Sequence, residues 1–233
     1  MKTKLKELLE WDVPNWSQAL AFWQPHLDGA YKEGTPVLTI GERYGGLSLW
    51  LAKQGKANIC TDYVIPSDKA MELHQSHGVS ELVKYEMVNI FELPYPDNSF
   101  DVVVIKSVIG GLKLTYSDKK SRTLENQKKA IAEIIRVLKP GGVYLGAENM
   151  RGGLLHRFLR KKTGRDKHWR YLDKKELSYL LDGFAKVYTK FYGYLGSNFK
   201  NKIFNSLTSF ADKLFSALLP GSRLYIGFFV GKK

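Results

Sequence analysis

The chain has 233 residues, of which 44% are hydrophobic and 25% are charged, and both values are ordinary for a globular protein. We expect no secretory signal, because the amino terminus has no apolar segment, and no apolar run approaches the roughly 20 residues of a membrane-spanning helix. The single cysteine, Cys60, excludes an internal disulfide, and its apolar neighbours predict a buried thiol. These features predict a cytoplasmic protein.

The formal net charge of +13 is concentrated in the carboxyl-terminal third of the chain. Residues 1–150 have 18 Lys and Arg against 18 Asp and Glu, whereas residues 151–233 have 18 against 5. Such a basic region suggests an anionic partner: a phosphorylated substrate, a nucleic acid or an anionic membrane surface for peripheral contact. A solvated face that only aids solubility explains the charge equally well.

The first 150 residues alternate between helical and strand-like patterns. A helix is predicted over residues 15–27. The predicted strands are residues 37–40, 57–61, 82–88, 101–106 and 143–148, and the helices between them include residues 67–77 and 126–138, the last stopped by Pro140, Gly141 and Gly142. This alternation predicts an α/β fold with a doubly wound parallel sheet.

The later residues predict an antiparallel addition at one edge of that sheet. Helices are expected at 173–181 and 200–219, and strands at 186–195 and 223–230. We expect Phe210, Leu214, Phe215 and Leu218 to be core residues, with a helix lying on a membrane as the alternative. The whole chain, 1–233, is predicted to be one domain: a helical lead-in (1–35), a ligand-binding core (36–150) and a basic sheet-edge region (151–233).

A glycine-rich turn follows the first predicted strand. Residues 41–46 read G-x-x-x-G-G rather than the G-x-G-x-x-G of dinucleotide binders. Asp62 follows Gly41 by 21 residues, at the end of the second strand, where a carboxylate can accept hydrogen bonds from ribose hydroxyls. These two features alone fit a nicotinamide cofactor, another adenosine ligand, or a plain turn beside a surface Asp.

Two further phrases narrow this choice. Residues 93–104 read LPYPDNSFDVVV and residues 133–148 read EIIRVLKPGGVYLGAE. Together with the turn and Asp62, they resemble the class I S-adenosylmethionine-dependent methyltransferases over residues 36–150. The resemblance implies S-adenosylmethionine as cofactor and a Rossmann-like, seven-stranded, mostly parallel sheet with an antiparallel edge strand.

The resemblance also implies which residues meet the cofactor. They are Gly41 and Gly45 at the methionine part, Glu42 or Tyr44 at its ammonium group, Asp62 at the ribose, Tyr63 on the adenosine, Asn89 and Ile90 at the adenine edge, and Lys106 with Ser107 at the reaction centre. No residue is expected to hold a metal, and His74 and His77 are expected to be a surface pair.

Three positions depart from the pattern of that family. Thr39 stands where the family has an acidic residue, Arg43 replaces the second glycine of the turn, and Asn89 replaces an Asp. Glu42 is a candidate to replace the missing acid. Arg43 places a cation near a cationic sulfonium, so a non-catalytic binding protein on the same fold is the alternative.

A looser resemblance concerns the acceptor. The stretches GERYGGLSLWLA, FDVVVIKSVIGGL, LGAENM, LLHRFLR and WRYL look like methyltransferases encoded with bacterial surface-polysaccharide enzymes. This implies O-methylation of a sugar or of a phosphorylated glycan precursor, an anionic small molecule.

A sugar hydroxyl needs a proton acceptor, and the catalytic candidates are His156, Glu148 and His168. Trp169, Arg170 and Tyr171 can stack on the acceptor, and a helical cluster of Arg157, Arg160, Lys161 and Lys162 can bind phosphate. RNA would use the same groups, so an RNA methyltransferase is a further alternative.

Overall fold

The computed structural model describes residues 4–113, 122–164, 169–196 and 201–233. The strands are β1 (Val37–Ile40), β2 (Asn58–Asp62), β3 (Val83–Met87), β4 (Phe100–Lys106), β5 (Leu138–Asn149), β6 (Lys186–Tyr192) and β7 (Ile226–Lys232). The helices are α1 (Leu5–Leu9), α2 (Val13–Ala30), α3 (Gly46–Ala52), α4 (Asp68–Ser76), α5 (Leu124–Val137), α6 (Leu154–Thr163), α7 (Lys174–Leu180) and α8 (Lys202–Leu218).

The seven strands form one sheet in the order β3-β2-β1-β4-β5-β7-β6. The five strands from β3 to β5 pair in parallel, and β7 pairs antiparallel with both β5 and β6. The predicted fold class is therefore confirmed, including the antiparallel edge. The chain winds outward from β1 to β3 and returns to β4, so a topological switch point lies between β1 and β4, where open α/β sheets bind ligands.

Alternate residues of β1, β2, β4 and β5 enter two separate cores, in keeping with the two-residue period of a strand. On one face, Val102 and Val104 pack with residues of α1, α2 and α3, among them the fully buried Trp16 and Trp23. On the other face, Val103 and Ile105 pack with residues of α5 and α7. Because both faces are covered, β4 is buried along its whole length, and its residues 102–105 are all apolar.

Two predictions about element ends are corrected. The residues Pro140, Gly141 and Gly142 do not follow the helix directly: α5 ends at Val137, and β5 already begins at Leu138, which pairs with Phe100. The register between β4 and β5 then shifts, and Gly141 takes a positive φ of 79°. The three residues thus form a bulge within a strand.

The prediction that α8 covers the core is wrong for most of its apolar residues. Phe210 is 72% exposed and Leu218 is 71% exposed, and Leu214 is half exposed; Phe215 is partly buried. Helix α8 instead packs through Thr208 and Asp212, which are buried. Within the described ranges, no helix has the length and hydropathy to cross a membrane.

Candidate cofactor and acceptor site

A cavity of about 570 Å³ opens at the carboxyl ends of the central parallel strands, a size typical of small-molecule sites. Its wall takes residues from the ends of β1, β2 and β4, from the segment after β3, and from Trp169. The lining residues are Ile40, Gly41, Arg43, Asp62, Tyr63, Val64, Val88, Asn89, Ile90, Phe91, Ser107, Val108, Gly111, Leu112, Lys113 and Trp169. The cavity lies at the switch point of the sheet.

Two glycines of the turn after β1 are required by the backbone. Gly41 has a φ of 79°, and a Cβ there would lie 2.2 Å from Cγ2 of Val108. Gly45 has a φ of 71°, and a Cβ there would lie 2.6 Å from the ring of His74. Side chains other than hydrogen are strained at such φ values, so the turn needs glycine at both positions.

Arg43, by contrast, occupies a position that does not require glycine. It is not among the described residues with positive φ, and its side chain is exposed. The guanidinium lies 5.4 Å from the centre of the Tyr44 ring at the cavity wall. The cavity remains open beside it, so this departure from the glycine pattern does not fill the site.

Glu42, the candidate replacement for the acid missing at Thr39, is buried beside the glycine turn. The buried Thr39 hydroxyl lies 2.8 Å from the Ser48 hydroxyl. The Glu42 carboxylate accepts hydrogen bonds from the amides of Leu47 (2.8 Å) and Ser48 (3.2 Å), in the first turn of α3. Burial raises the pKa of Glu42 to about 7, although Lys106 and these two amides act in the opposite direction.

Asp62 ends β2 and faces the cavity, as predicted. Its Oδ1 accepts a hydrogen bond from the Tyr63 amide (2.6 Å). Burial raises the pKa of Asp62, and the Tyr63 amide and the charge of Arg43 oppose that rise. Beyond β3, Asn89 accepts a hydrogen bond from the Phe91 amide (3.1 Å) and is exposed at the wall.

Lys106 lies under the amino-terminal segment rather than in the cavity wall. Its ammonium is 3.7 Å from the centre of the Trp11 ring, and it donates to the carbonyl oxygen of Leu9 (3.4 Å). Burial lowers the pKa of Lys106, while Glu10 and Glu42 raise it. Lys106 thus links the segment after α1 to the end of β4.

Glu148 holds the segment after β4 in place. Its Oε1 accepts hydrogen bonds from the amides of Val108 and Ile109, both at 2.6 Å, and the residue is 1% exposed. Burial raises the pKa of Glu148 to about 7 against these bonds. The same segment begins at Ser107, which has a positive φ of 56° and accepts a hydrogen bond from Asn149 (2.6 Å). Backbone strain of this kind often marks ligand sites.

His156 is half-buried and lines neither the first cavity nor a second one beside α6. Its ring centre lies 4.9 Å from that of Tyr225 and 5.9 Å from that of Tyr194. Burial lowers the pKa of His156 to about 4, with the charge of Arg160 acting in the same direction. The ring is therefore neutral near pH 7. His168 lies outside the described residues, so its candidacy stays a prediction.

A second cavity, of about 550 Å³, adjoins α6. It is lined by Arg151, Leu154, Arg157, Phe158, Arg160, Lys161, Trp169 and Tyr171. Arg160 stacks on Tyr171, 3.6 Å from the ring centre, and Arg151 pairs with Asp173 and Glu176. Arg157 and Lys161 are exposed and make no ion pair with the part of the chain that the structure describes.

Trp169 belongs to the walls of both cavities. Its ring lies against Gly110 and Gly111: a Cβ on Gly110 would meet its Nε1 at 2.0 Å. That Nε1 is buried and has no hydrogen-bond partner among the described residues. The indole of Trp169 can therefore contact a group bound in either cavity.

Six of the predicted residues line the first cavity, namely Gly41, Asp62, Tyr63, Asn89, Ile90 and Ser107. The other predicted residues, Glu42, Tyr44, Gly45 and Lys106, do not line it. Among the residues that sequence reasoning missed are Val108 and Gly111; the pair of glycines at 110 and 111 was the signal that a ring packs there. His74 and His77, expected at the surface, are buried, and His74 contacts the carbonyl oxygen of Gly45 (2.8 Å).

Comparisons with known proteins agree with this geometry. Residues 38–146 match the family model described as a methyltransferase domain. An uncharacterised protein of Haemophilus influenzae is 30% identical over 55% of this chain and 48% of its own length. A sterol 24-C-methyltransferase of Pneumocystis carinii is 29% identical over 58% of this chain and 33% of its own. The chain thus spans half or less of the length of these relatives.

Solved structures share the fold over nearly the whole chain. Phosphoethanolamine N-methyltransferase 2 of Haemonchus contortus, in complex with phosphomonomethylethanolamine and S-adenosylhomocysteine, is 20% identical with a TM-score of 0.62, over 94% of this chain and 53% of its own. Geranyl diphosphate C-methyltransferase of Streptomyces coelicolor is 12% identical with a TM-score of 0.59, over 94% and 77%. The fold is that of the S-adenosylmethionine-dependent methyltransferases, and residues 38–146 are similar to the methyltransferase domain of that class.

The residues of the first cavity suit S-adenosylmethionine, the cofactor of this class. Gly41 leaves room that a Cβ would fill, so backbone and ligand can approach closely. Asp62 offers a carboxylate at the strand end where a ribose diol would bind. The apolar side chains of Ile90 and Val64 offer contacts for a base.

Proposed function

We propose that the protein transfers the methyl group of S-adenosylmethionine to a hydroxyl of a phosphorylated small molecule, and that this acceptor is a glycan precursor. The observation that carries the proposal is the shared wall at Trp169. A phosphate held by the basic cavity leaves the rest of the acceptor to extend along the indole toward the cofactor cavity.

The chemistry of the second cavity supports a phosphorylated acceptor. Arg157 and Lys161 present two cations beside the rings of Trp169 and Tyr171. Cations bind phosphate oxygens through charge-assisted hydrogen bonds, and aromatic faces stack on sugars or bases. The related structures with phosphomonomethylethanolamine and with geranyl diphosphate show that this fold accommodates phosphorylated acceptors.

The protein's contribution to the reaction is alignment and exclusion of water. When bound, the cofactor supplies a methyl group activated by its sulfonium, and displacement requires the nucleophile in line with the breaking bond. Asp62 would accept hydrogen bonds from the ribose, and Gly41 would permit close approach of the turn to the cofactor. Glu148 fixes the segment from Ser107 to Ile109, and Ser107 and Val108 of this segment line the first cavity.

The hydroxyl must lose its proton as the new bond forms. Of the three candidates, Glu148 is bound to backbone amides and His156 is packed between two tyrosines, so neither reaches the cavities. His168 immediately precedes Trp169 in the sequence. We therefore assign the proton acceptor to His168. Replacement by Asn should lower kcat by 10²–10⁴-fold, the usual contribution of a general base, and leave cofactor affinity unchanged.

Isothermal titration with S-adenosylmethionine tests the cofactor site. Asp62→Ala should weaken binding at least tenfold, because hydrogen bonds to a charged group contribute about 1.5–3 kcal/mol each. Glu72→Ala, at an exposed position of α4, is the matched control and should bind like the parent protein. Equal affinity of the two variants for S-adenosylmethionine would show that Asp62 does not bind the cofactor.

Transfer of a labelled methyl group tests the acceptor class. Sugar phosphates and nucleotide sugars should be methylated, and the same sugars after phosphatase treatment should not. Arg157→Ala with Lys161→Ala should raise the KM for the acceptor at least tenfold. Lys69→Ala with Lys129→Ala, two exposed cations outside both cavities, should change it little.

The alternatives predict different outcomes of that experiment. Equal methylation with and without phosphate would overturn the acceptor assignment. Transfer to RNA that declines steeply with salt would identify an RNA methyltransferase. Absence of cofactor binding in the parent protein would identify a non-catalytic binding protein.

A further inference from the structure

An apolar stripe runs along the outer face of α8. The side chains of Ile203, Leu207, Phe210, Leu214 and Leu218 are each 51–74% exposed. At 100° per residue they fall within an arc of about 80°, and they extend over about 22 Å of helix. A continuous exposed apolar face of this length marks an interaction surface.

The opposite face of α8 is fixed to the protein by Asp212. This carboxylate is fully buried and accepts hydrogen bonds from the amides of Tyr194 (2.8 Å) and Gly196 (2.9 Å) and from the side-chain amide of Asn15 (2.7 Å). On the helical wheel it lies about 160° from the centre of the stripe. The orientation of α8 is therefore set, and the stripe points outward.

Helix α6 presents a second exposed apolar face nearby. Leu154 is 79% exposed and Phe158 is 65% exposed. Aromatic contacts link the two helices. The ring centre of Tyr194 lies 5.9 Å from that of His156 in α6 and 5.3 Å from that of Phe215 in α8.

The charge on these two helices is almost wholly positive. The only acid in residues 202–218 is Asp212, which faces inward, and residues 154–163 contain no acid at all. Lys213 of α8 and Lys162 of α6 are exposed cations beside the apolar faces. Apolar faces flanked by cations suit the boundary between acyl chains and anionic headgroups.

We propose that α8 and α6 bind the protein peripherally to an anionic bilayer surface. The apolar side chains enter the headgroup boundary, and the lysines contact the anionic headgroups. The α8 part of this surface lies apart from both cavities, whereas Leu154 and Phe158 of α6 also line the second cavity.

Co-sedimentation with vesicles tests the proposal. Vesicles of 70% phosphatidylcholine and 30% phosphatidylglycerol should bind the protein at least tenfold more tightly than pure phosphatidylcholine, and 0.5 M salt should weaken that binding. Phe210→Ser with Leu214→Ser should weaken it at least tenfold. Lys162→Glu with Lys213→Glu should weaken it by about fivefold per cation removed, or more.

Met87→Ser with Ile65→Ser is the matched control, because both side chains are 60–64% exposed but lie elsewhere on the surface. This variant should bind vesicles like the parent protein. Calorimetry with S-adenosylmethionine should give the same affinity for all variants, which shows that they are folded and separates this proposal from that of the enzymatic function.

Three results would overturn the membrane assignment. One is equal binding of the parent protein to neutral and anionic vesicles, and a second is an equal loss of binding in the control variant. The third is a concentration-dependent dimer in light scattering that Phe210→Ser with Leu214→Ser disperses, because a second copy of the chain would then cover the stripe.

Discussion

The buried carboxylate of Glu42 makes the stability of the protein depend on pH in a direction that can be measured. Two amides at the start of α3 bind it, yet burial still raises its pKa from 4.5 to about 7. Glutamine keeps an oxygen that can accept the same two bonds but does not ionise. Glu42→Gln therefore isolates the effect of the negative charge.

The raised pKa of Glu42 determines whether stability rises or falls with pH. The stability that Glu42 contributes is fully present below pH 4.5, where the carboxyl is protonated in both folded and unfolded chains. It is lost as the pH rises through about 7. From these two values, ionisation costs the folded state about 2–3 kcal/mol more at pH 8 than at pH 5. The free energy of unfolding of Glu42→Gln, relative to that of the parent protein, should therefore rise by that amount between pH 5 and pH 8.

Urea unfolding at pH 5, 6.5 and 8, followed by tryptophan fluorescence, measures the difference. Glu72→Gln, at an exposed site of α4, should differ from the parent protein by the same small amount at every pH. A difference between Glu42→Gln and the parent protein that is constant from pH 5 to pH 8 would refute the reasoning, because the carboxyl would then titrate alike in the folded and unfolded chains.

Further substitutions test the turn and the shared wall. Gly41→Ala should lower the free energy of unfolding by about 2–4 kcal/mol in a urea titration, because φ is 79° and the new Cβ would meet Val108. Arg43→Gly should lower it by less than about 1 kcal/mol and retain cofactor binding in calorimetry, since its backbone does not need glycine. Trp169→Ala should raise both the KM for the acceptor and the Kd for the cofactor, because Trp169 lines both cavities.

The parallel core was predictable because its signals are local. Continuous apolar strands such as β4 are buried on both faces, and the predicted limits of β1 match the structure. The six predicted residues that line the cavity lie at strand ends or in the glycine turn, where position in the chain fixes position in space. These parts of the site are defined by short stretches of sequence.

The predictions from sequence were wrong where the burial of a residue depends on contacts with residues distant in the chain. The periodicity of α8 shows an apolar face but cannot show that the face points away from the protein, which depends on Asp212 binding the loop at 194–196. Likewise, the burial of His74 depends on α4 packing over the glycine turn, where its ring contacts Gly45. Short α1, with five residues, carries too little pattern to be found.

The departures of the glycine turn from the family pattern are explained by what each position must do. Positions 41 and 45 must adopt positive φ against close neighbours, and there glycine is retained. Position 43 has no such demand, and an arginine stands there with its side chain exposed. Position 39 has no acid, and the carboxylate of Glu42 binds two amides at the start of α3. The backbone geometry that shapes the cavity therefore depends on two glycines and one carboxylate, and the sequence between them can vary.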